Sequence, residues 1–377
     1  MTEEKEKITR RKYLKYGGAG VAVAVVAVAG YGAYEVLRPK PKPKLTIAWW
    51  GGSELDALKP TIEEFKTQTG SEVEIILHGG GGSAGTIPRI AAAWPEVVID
   101  IIGISTHGAL KLAGEGYSIP LTAADIPELK DYPEDLYIKY DGETRAVVFA
   151  TVSVVIVYRN DKVKEPIKSF HDLLRPELKG RVAVGTATGG AGMYFLSWAL
   201  DFGGDEYNVD SGFDALKRLG EMGNLAMIWS EEPYALTAME AGDIWAMEFS
   251  DYGTGGWIAR KAAAGEYPYL AVVKNPAAGK SVYDGDTLAI INGPRKELAK
   301  QFARIFLRAD MQEKFAPVCG EAPSNPMTPV DPVLAPWINS GAELKKYGYF
   351  ADRAQVVKNI DEWASRFDKE IRPLVKA

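Results

Sequence analysis

From Lys44 onward, short apolar runs alternate with segments in which apolar side chains recur every three to four residues. The runs KLTIAWW (44–50), EVEIILH (72–78) and VVIDIIGIS (97–105) predict strands. Between them ELDALKPTIEEFKTQTG (54–70) predicts an amphipathic helix stopped by Gly70, and TIPRIAAAW (86–94) a short one with Thr86 at the cap position and Pro88 in the first turn. HGALKLAGEG (107–116) predicts the next helix. Strand–helix alternation of this kind implies a parallel sheet covered by helices on both faces. At 145–160 the pattern changes to one β-branched run, RAVVFATVSVVIVYRN, too long for an average strand and interrupted by Thr151 and Ser153. A second α/β unit follows. Helix, strand, glycine-rich turn and helix are predicted across 169–200, and alternating helices and strands through LAMIWS (225–230), DIWAMEFS (243–250) and YLAVVKN (269–275) to DTLAIING (286–293). Helical patterns fill most of the remainder around a proline-rich connection at 317–336, and no fixed-period repeat is visible.

Two α/β units joined by more than one strand predict a hinged, two-lobed α/β fold. Open parallel sheets bind ligands beyond the carboxyl ends of their strands. The candidate segments are therefore Trp49–Ser53, Gly79–Ser83, Gly103–Thr106, Thr186–Gly192, Trp229–Glu231 and Ser250–Tyr252. Aromatic faces at such ends can hold an organic cation, which brings forward Trp49, Trp50, Trp229, Tyr252 and Tyr283. Glu231, Asp251, Asp284 and Asp286 stand near the same positions.

The N-terminus reads differently. Arg10–Arg11 precede the Gly/Ala/Val core YGGAGVAVAVVAVAGYGAY, the pattern of a twin-arginine export signal, either cleaved or kept as an anchor. RPKPKPK (38–44) is a stiff, hydrated spacer. The 377 residues carry a net charge of −6; the first 44 hold ten basic and four acidic residues, a net +6, which leaves −12 on the rest. An acidic exported domain favours cations and argues against nucleic acid.

Four consecutive glycines, 79–82, raise the question of a nucleotide. Gly80, Gly82 and Gly85 spell G-x-G-x-x-G, with Asp100 beyond. Another strand and helix precede this loop, however, and Asp100 sits inside a strand pattern rather than at its end. The sequence therefore favours a loop whose backbone N–H groups face a polar ligand over an exported NAD(P)-dependent oxidoreductase. The G-K-S at 279–281 has Lys274 where a phosphate loop requires glycine. No H-E-x-x-H is present. Adjacent Glu231–Glu232 read as a solvated pair. The single cysteine, Cys319, reads as a small buried residue, and His78, His107 and His171 lack metal-ligand spacing, so no metal site and no cofactor is expected.

Several stretches together resemble the substrate-binding proteins of ABC importers, in particular the two-lobed type II group that takes up polyamines, ferric iron and thiamine. LTIAWWGGSELDALKPTIEEFKTQTG resembles that family's opening strand, ligand loop and F-x-x-x-T-G helix. VVIDIIGIS with LAGEGYSIPL, SFHDLLRPELKGRVAV with Phe170 for the usual Trp, and the late GEAPSNP turn resemble later family segments. VVFATVSVVIVYRN and GDTLAIINGPRKELAKQFARIFL resemble the two hinge crossings. The resemblance implies lobe one at 45–151 with 287–318 and lobe two at 152–286 with 319–377. It further implies a monomeric exported receptor, not an enzyme, that closes on a small-molecule ligand and docks on a membrane permease with its ATPase. Asp286 matches the acidic residue of the polyamine binders' D-S-L-A-I setting, which implies a cationic ligand, whereas the adjacent tyrosines of the iron binders are absent. The expected ligand residues are Trp49, Trp50, Gly51, Ser53, Gly81, Gly82, Ser83, Ser105, Thr106, Thr151, Thr188, Gly189, Gly190, Trp229, Glu231, Asp251, Tyr252 and Asp286.

Overall fold

The computed structural model describes residues 42–78, 83–230, 232–251, 254–339 and 341–375. The export-signal segment lies outside the described residues, as do Gly79–Gly82, Glu231 and Tyr252. Among the described residues no helix is long and apolar enough to cross a membrane.

Three parallel strands begin the fold: β1 (Lys44–Trp49), β2 (Glu72–Leu77) and β3 (Ile101–Ser105), in spatial order β2–β1–β3. Helix Ser53–Thr69 connects the first two and stops at Gly70, whose left-handed backbone (φ 66°) lets its N–H reach Lys66 O. Residues 45–49 of β1 are all buried, as expected of a strand covered on both faces. A short β4 (Tyr137–Tyr140) forms a hairpin with β5 (Glu143–Arg159). Then come β6 (Val182–Gly185), β7 (Leu225–Trp229), β8 (Ala246–Ser250) and β9 (Leu270–Val273), interleaved with helices Met193–Asp201, Asp210–Glu221, Glu232–Ala241 and Thr254–Ala263. β10 (Ser281–Ile290) leads to helices Lys296–Phe306 and Ala309–Cys319; β11 (Ala322–Pro323), β12 (Gly348–Phe350) and helix Arg353–Glu370 close the chain.

The sheet path is β2–β1–β3–β10–β5–β8–β6–β7. Its ends are parallel, as the strand–helix alternation predicts; its middle is antiparallel, because β10 runs against both β3 and β5, and β5 runs against β8. The long run at 145–160 is one continuous 17-residue strand rather than an interrupted one. β5 pairs with β10 from Val147 to Ser153 and with β8 from Val154 to Tyr158, so it belongs to two sheets in succession. Thr151 and Ser153 do not break it because both are satisfied. Thr151 Oγ1 donates to Ala322 O (3.3 Å), and Ser153 donates through its backbone N–H and its hydroxyl to the Asp251 carboxylate.

Buried apolar residues form two clusters. One draws on 45–150 and 288–319, the other on 152–282 and 322–371. In the first, Trp49 stacks on Phe149 (5.2 Å between centroids) and meets Phe306 (5.5 Å) and Phe315 (6.3 Å) edge to face. The segment at 169–178, expected to be helical, contains two short 3-10 turns, Phe170–Leu174 and Pro176–Leu178; the intervening Pro176 cannot continue the first.

Candidate functional site

β10 carries the sequence Asp284-Gly285-Asp286 where it pairs with both β3 and β5. Side chains alternate along a strand, so Asp284 and Asp286 share one face. A Cβ on Gly285 would stand 2.4 Å from Ala150 O and 2.3 Å from Val148 Cγ1, so the two backbones approach closely only because this residue is glycine. The register shifts between Asp286 and Thr287, a bulge of the kind that re-aims a side chain.

A cavity of about 530 Å³ opens against this face. Its walls join Ser105 at the end of β3 to Trp229 and Ser230 at the end of β7, the turn Gly189–Ala191 with Met193 and Tyr194, and Glu232 and Pro233. The cavity thus lies where the two apolar clusters meet. Residues 190, 191 and 192 all have positive φ (55°, 52° and 90°), a turn that brings the start of helix Met193–Asp201 to the wall. Tyr194 sets its ring edge to face against Trp229 at 4.9 Å and donates its hydroxyl to Glu232 Oε1 at 3.0 Å; the Ser250 hydroxyl donates to the same oxygen. Trp229 is buried, with its indole Nε1 lacking a hydrogen-bond partner.

The two β10 aspartates differ in their neighbours. Asp284 accepts from Thr106 Oγ1 and from Gly285 N (2.9 Å), and Arg353, at the start of the last helix, stands 3.6 Å away. Asp286 has no ion pair among the described residues. Burial, followed by the nearby charges of Glu54 and Asp284, holds its carboxyl well above the ordinary aspartate range.

Of the expected ligand residues, the structure gathers Ser105, Gly189, Gly190, Trp229 and Asp286 around one cavity. Others lie elsewhere. Trp49 is wholly buried among phenylalanines, and Trp50 is half-buried, edge to face on Trp49 and on His78 (5.1 Å), so neither indole lines the cavity. Gly51 and Ser53 are exposed at the start of the first helix, and Thr188 is exposed one residue before the cavity turn. Ser83 opens a short 3-10 turn, Ser83–Thr86. Thr106, Thr151 and Asp251 are buried with their side chains engaged inside the protein: on Asp284, on Ala322 O and on Ser153 respectively. Burial raises the Asp251 carboxyl to about 7, against the pull of the Ser153 hydrogen bonds. Gly81, Gly82, Glu231 and Tyr252 lie outside the described residues. Tyr283 is buried and stacked on Phe350 (5.6 Å).

Sequence reasoning overlooked Tyr194 and misread Glu232 as solvated. The first follows directly on the glycine-rich turn; the second begins the helix Glu232–Ala241, which turns it toward Tyr194. Thr86 occupies the expected cap position, but its hydroxyl meets His78 Nδ1 (2.8 Å) instead of capping, while His78 Nε2 lies 2.8 Å from Gly103 O. Asp100, the acid of the dinucleotide fingerprint, is occupied. It accepts from Thr46 N (2.8 Å) and twice from Arg295 Nε (2.8 and 2.9 Å), leaving it no reach to a ribose.

Comparison with known proteins agrees with this architecture. Residues 61–364 match the family described as bacterial extracellular solute-binding protein. An ABC transporter structure from Clostridium perfringens is 22% identical, covering 87% of this chain and 99% of that one, with a TM-score of 0.73. The spermidine/putrescine ABC transporter substrate-binding protein PotD of Streptococcus pneumoniae is 16% identical (86% and 100% covered, TM-score 0.64). Iron-bound HitA of Pseudomonas aeruginosa is 18% identical (85% and 99% covered, TM-score 0.62). At these identities the likeness shows the fold, that of the type II periplasmic binding proteins. No curated protein is significantly similar in sequence.

Proposed function

We propose that this chain, which belongs to the bacterial extracellular solute-binding protein family, captures a small polyamine-like cation between two lobes and presents it to an ABC permease. Lobe one is 45–151 with 287–318, lobe two 152–286 with 319–377, and β5 and β10 act as the hinge between them. The observation that carries the cationic reading is Asp286: a carboxylate without an ion pair among the described residues, on the wall of a cavity that also presents the aromatic pair Trp229 and Tyr194. A ligand ammonium would neutralise Asp286, and the indole face would stack on the alkyl chain or its charge. Glu232 and Ser105 add acceptors. Ligand binding then shifts the population from open to closed, and the closed form is what the permease reads. The twin-arginine segment exports the domain, and the proline–lysine stretch at 38–44 tethers it as a monomer near the membrane.

A ferric-iron ligand fits less well, since Tyr194 is the only tyrosine among the described residues of the wall and its hydroxyl is already given to Glu232. An NAD(P) enzyme fits less well still, because Asp100 is held by Thr46 and Arg295. The test is a thermal-shift screen of the purified chain with spermidine, putrescine, other amines, thiamine, ferric complexes, phosphorylated solutes and NAD(P). A bound ligand stabilises by RT ln(1 + [L]/Kd), about 2.7 kcal/mol at a hundredfold excess over Kd. Stabilisation by amines alone is expected. A response to NAD(P) or to anions, with none to amines, would reverse the reading.

A further inference from the structure

Near Asp286, and not among the residues that line the cavity, Glu54 converges with two near neighbours from far along the chain, Cys319 and Glu321. Glu54 lies in the first turn of helix Ser53–Thr69, Cys319 ends helix Ala309–Cys319, and Glu321 directly precedes β11. One ligand-type atom from each, a carboxylate oxygen, the Sγ and a carboxylate oxygen, lie within 4.8 Å of one another. Glu321 has no exposure at all, and neither of its carboxylate oxygens meets a hydrogen-bond donor outside these three residues; Glu54 Oε2 is buried and meets none outside them either. The Cys319 thiol contacts Phe315 O (3.4 Å) and Ala316 O (3.5 Å) and interacts with the Glu321 carboxylate. Among the described residues no lysine or arginine forms an ion pair with Glu54, Glu321 or Asp286; Arg353 is taken up by Asp284.

A wholly buried carboxylate that meets no donor beyond another acid and a thiol is rare, because burying such a group is costly. Without a metal, the three groups can only share their own protons, Glu54 with Glu321 and the Cys319 thiol with Glu321. An organic ammonium could meet the carboxylates but gains nothing from a thiol, whereas a borderline metal ion binds thiolate and carboxylate together. We propose that Glu54, Cys319 and Glu321 form a binding site for one divalent transition-metal ion of the zinc class. Zinc–sulfur and zinc–oxygen bonds of about 2.3 and 2.0–2.2 Å put tetrahedral ligand atoms about 3.4–3.7 Å apart, so the trio needs to draw in by roughly 1 Å. Binding releases the thiol proton and any carboxyl proton. The metal would join the first helix to the segment that enters β11 beside the crossing strand β5, within electrostatic range of Asp286.

The test is titration of the metal-stripped, reduced full chain with Zn²⁺ and Co²⁺. One equivalent is expected. The Co²⁺ adduct should show the near-ultraviolet thiolate-to-cobalt charge-transfer band and the visible bands of a tetrahedral ion. Cys319→Ser should lose the charge-transfer band, and Glu321→Gln should weaken Zn²⁺ binding by at least about 100-fold. X-ray absorption of the wild-type zinc form, which needs no variant to fold, should give one sulfur and two or three oxygen neighbours. No uptake at tenfold excess, uptake without a thiolate band, or Glu321→Gln with unchanged affinity would each overturn the site. Failure to bind metal combined with loss of amine binding in Glu321→Gln would overturn it too, and would give the cluster to the solute. The amine screen requires no metal, so the two readings fail separately.

Discussion

Asp286→Asn changes one charge and almost no volume, and it should move binding and stability in opposite directions. Asp284 already has Arg353 at 3.6 Å, an N–H from Gly285 and the Thr106 hydroxyl, so its charge is compensated within the protein. Asp286 has acids, Glu54 and Asp284, as its charged neighbours, so it is the β10 carboxylate left for a ligand to neutralise. Removing one partner of a desolvated charge pair costs about 2–5 kcal/mol, or about 30- to 5,000-fold in Kd for a cationic solute. A neutral solute should lose little. Without ligand the sign reverses. The folded state holds the Asp286 proton more tightly than the unfolded chain does, so this group weakens the fold progressively as pH rises above the ordinary carboxylate range. The Asn variant should therefore unfold at higher urea than wild type near pH 8 and at about the same urea near pH 4, where both side chains are neutral. Calorimetric titration with spermidine, together with urea melts at the two pH values, reads both effects. Equal losses for cationic and neutral solutes, or a stability difference that is the same at both pH values, would refute the charge argument.

Gly189→Ala should disturb the aromatic wall. The new Cβ would lie 2.7 Å from Tyr194 Cδ2, forcing the ring away from Trp229 and Glu232, at about 1–3 kcal/mol of stability; urea melts and solute titration unchanged from wild type would contradict this. Asp100→Ala should cost about 1.5–3 kcal/mol, because Thr46 N–H and Arg295 lose their acceptor, yet leave solute affinity within a few-fold; a loss of affinity without a loss of stability would return Asp100 to the ligand site. Burial raises the Glu248 carboxyl to about 8, against hydrogen bonds from Gly185 N–H and the Trp198 indole. Stability should therefore fall between about pH 5 and 8, and Glu248→Gln should flatten that slope by up to about 1.4 kcal/mol per pH unit; parallel slopes for the two proteins would count against it.

The alternation of apolar runs and helical segments was enough to read both parallel ends of the sheet, because a buried parallel strand is a continuous apolar run. It did not reveal that β5 and β10 oppose their neighbours, since direction leaves no mark on periodicity. Several strand ends border the cavity, but position alone does not aim a side chain. Trp229 and Trp49 both end strands. Trp229 reaches the cavity, whereas Trp49 turns into the core, where its ring lies over Gly103; a Cβ there would be 2.6 Å from the indole. Glu232 looked solvated as one of an adjacent acidic pair and is held on Tyr194 by the start of its helix. Glu54 lies far from Cys319 and Glu321 in sequence, so only the folded chain brings the three together.

The acid-rich centre is a consequence of how β10 crosses the molecule. A strand pairing with β3 on one side and β5 on the other has no free edge, so its polar residues must point out of the sheet plane. Alternation puts Asp284 and Asp286 on one face, Gly285 lets β10 press against Ala150, and the bulge after Asp286 shifts the apolar residues Leu288–Ile290 into the first cluster. The same stretch that joins the two apolar clusters therefore also carries the charge. A cation at Asp286 would offset its repulsion with Glu54 and Asp284 at the crossing. A cation bound there would act on the junction directly, without a relay through either core, which is the coupling a receptor needs if occupancy is to change its shape.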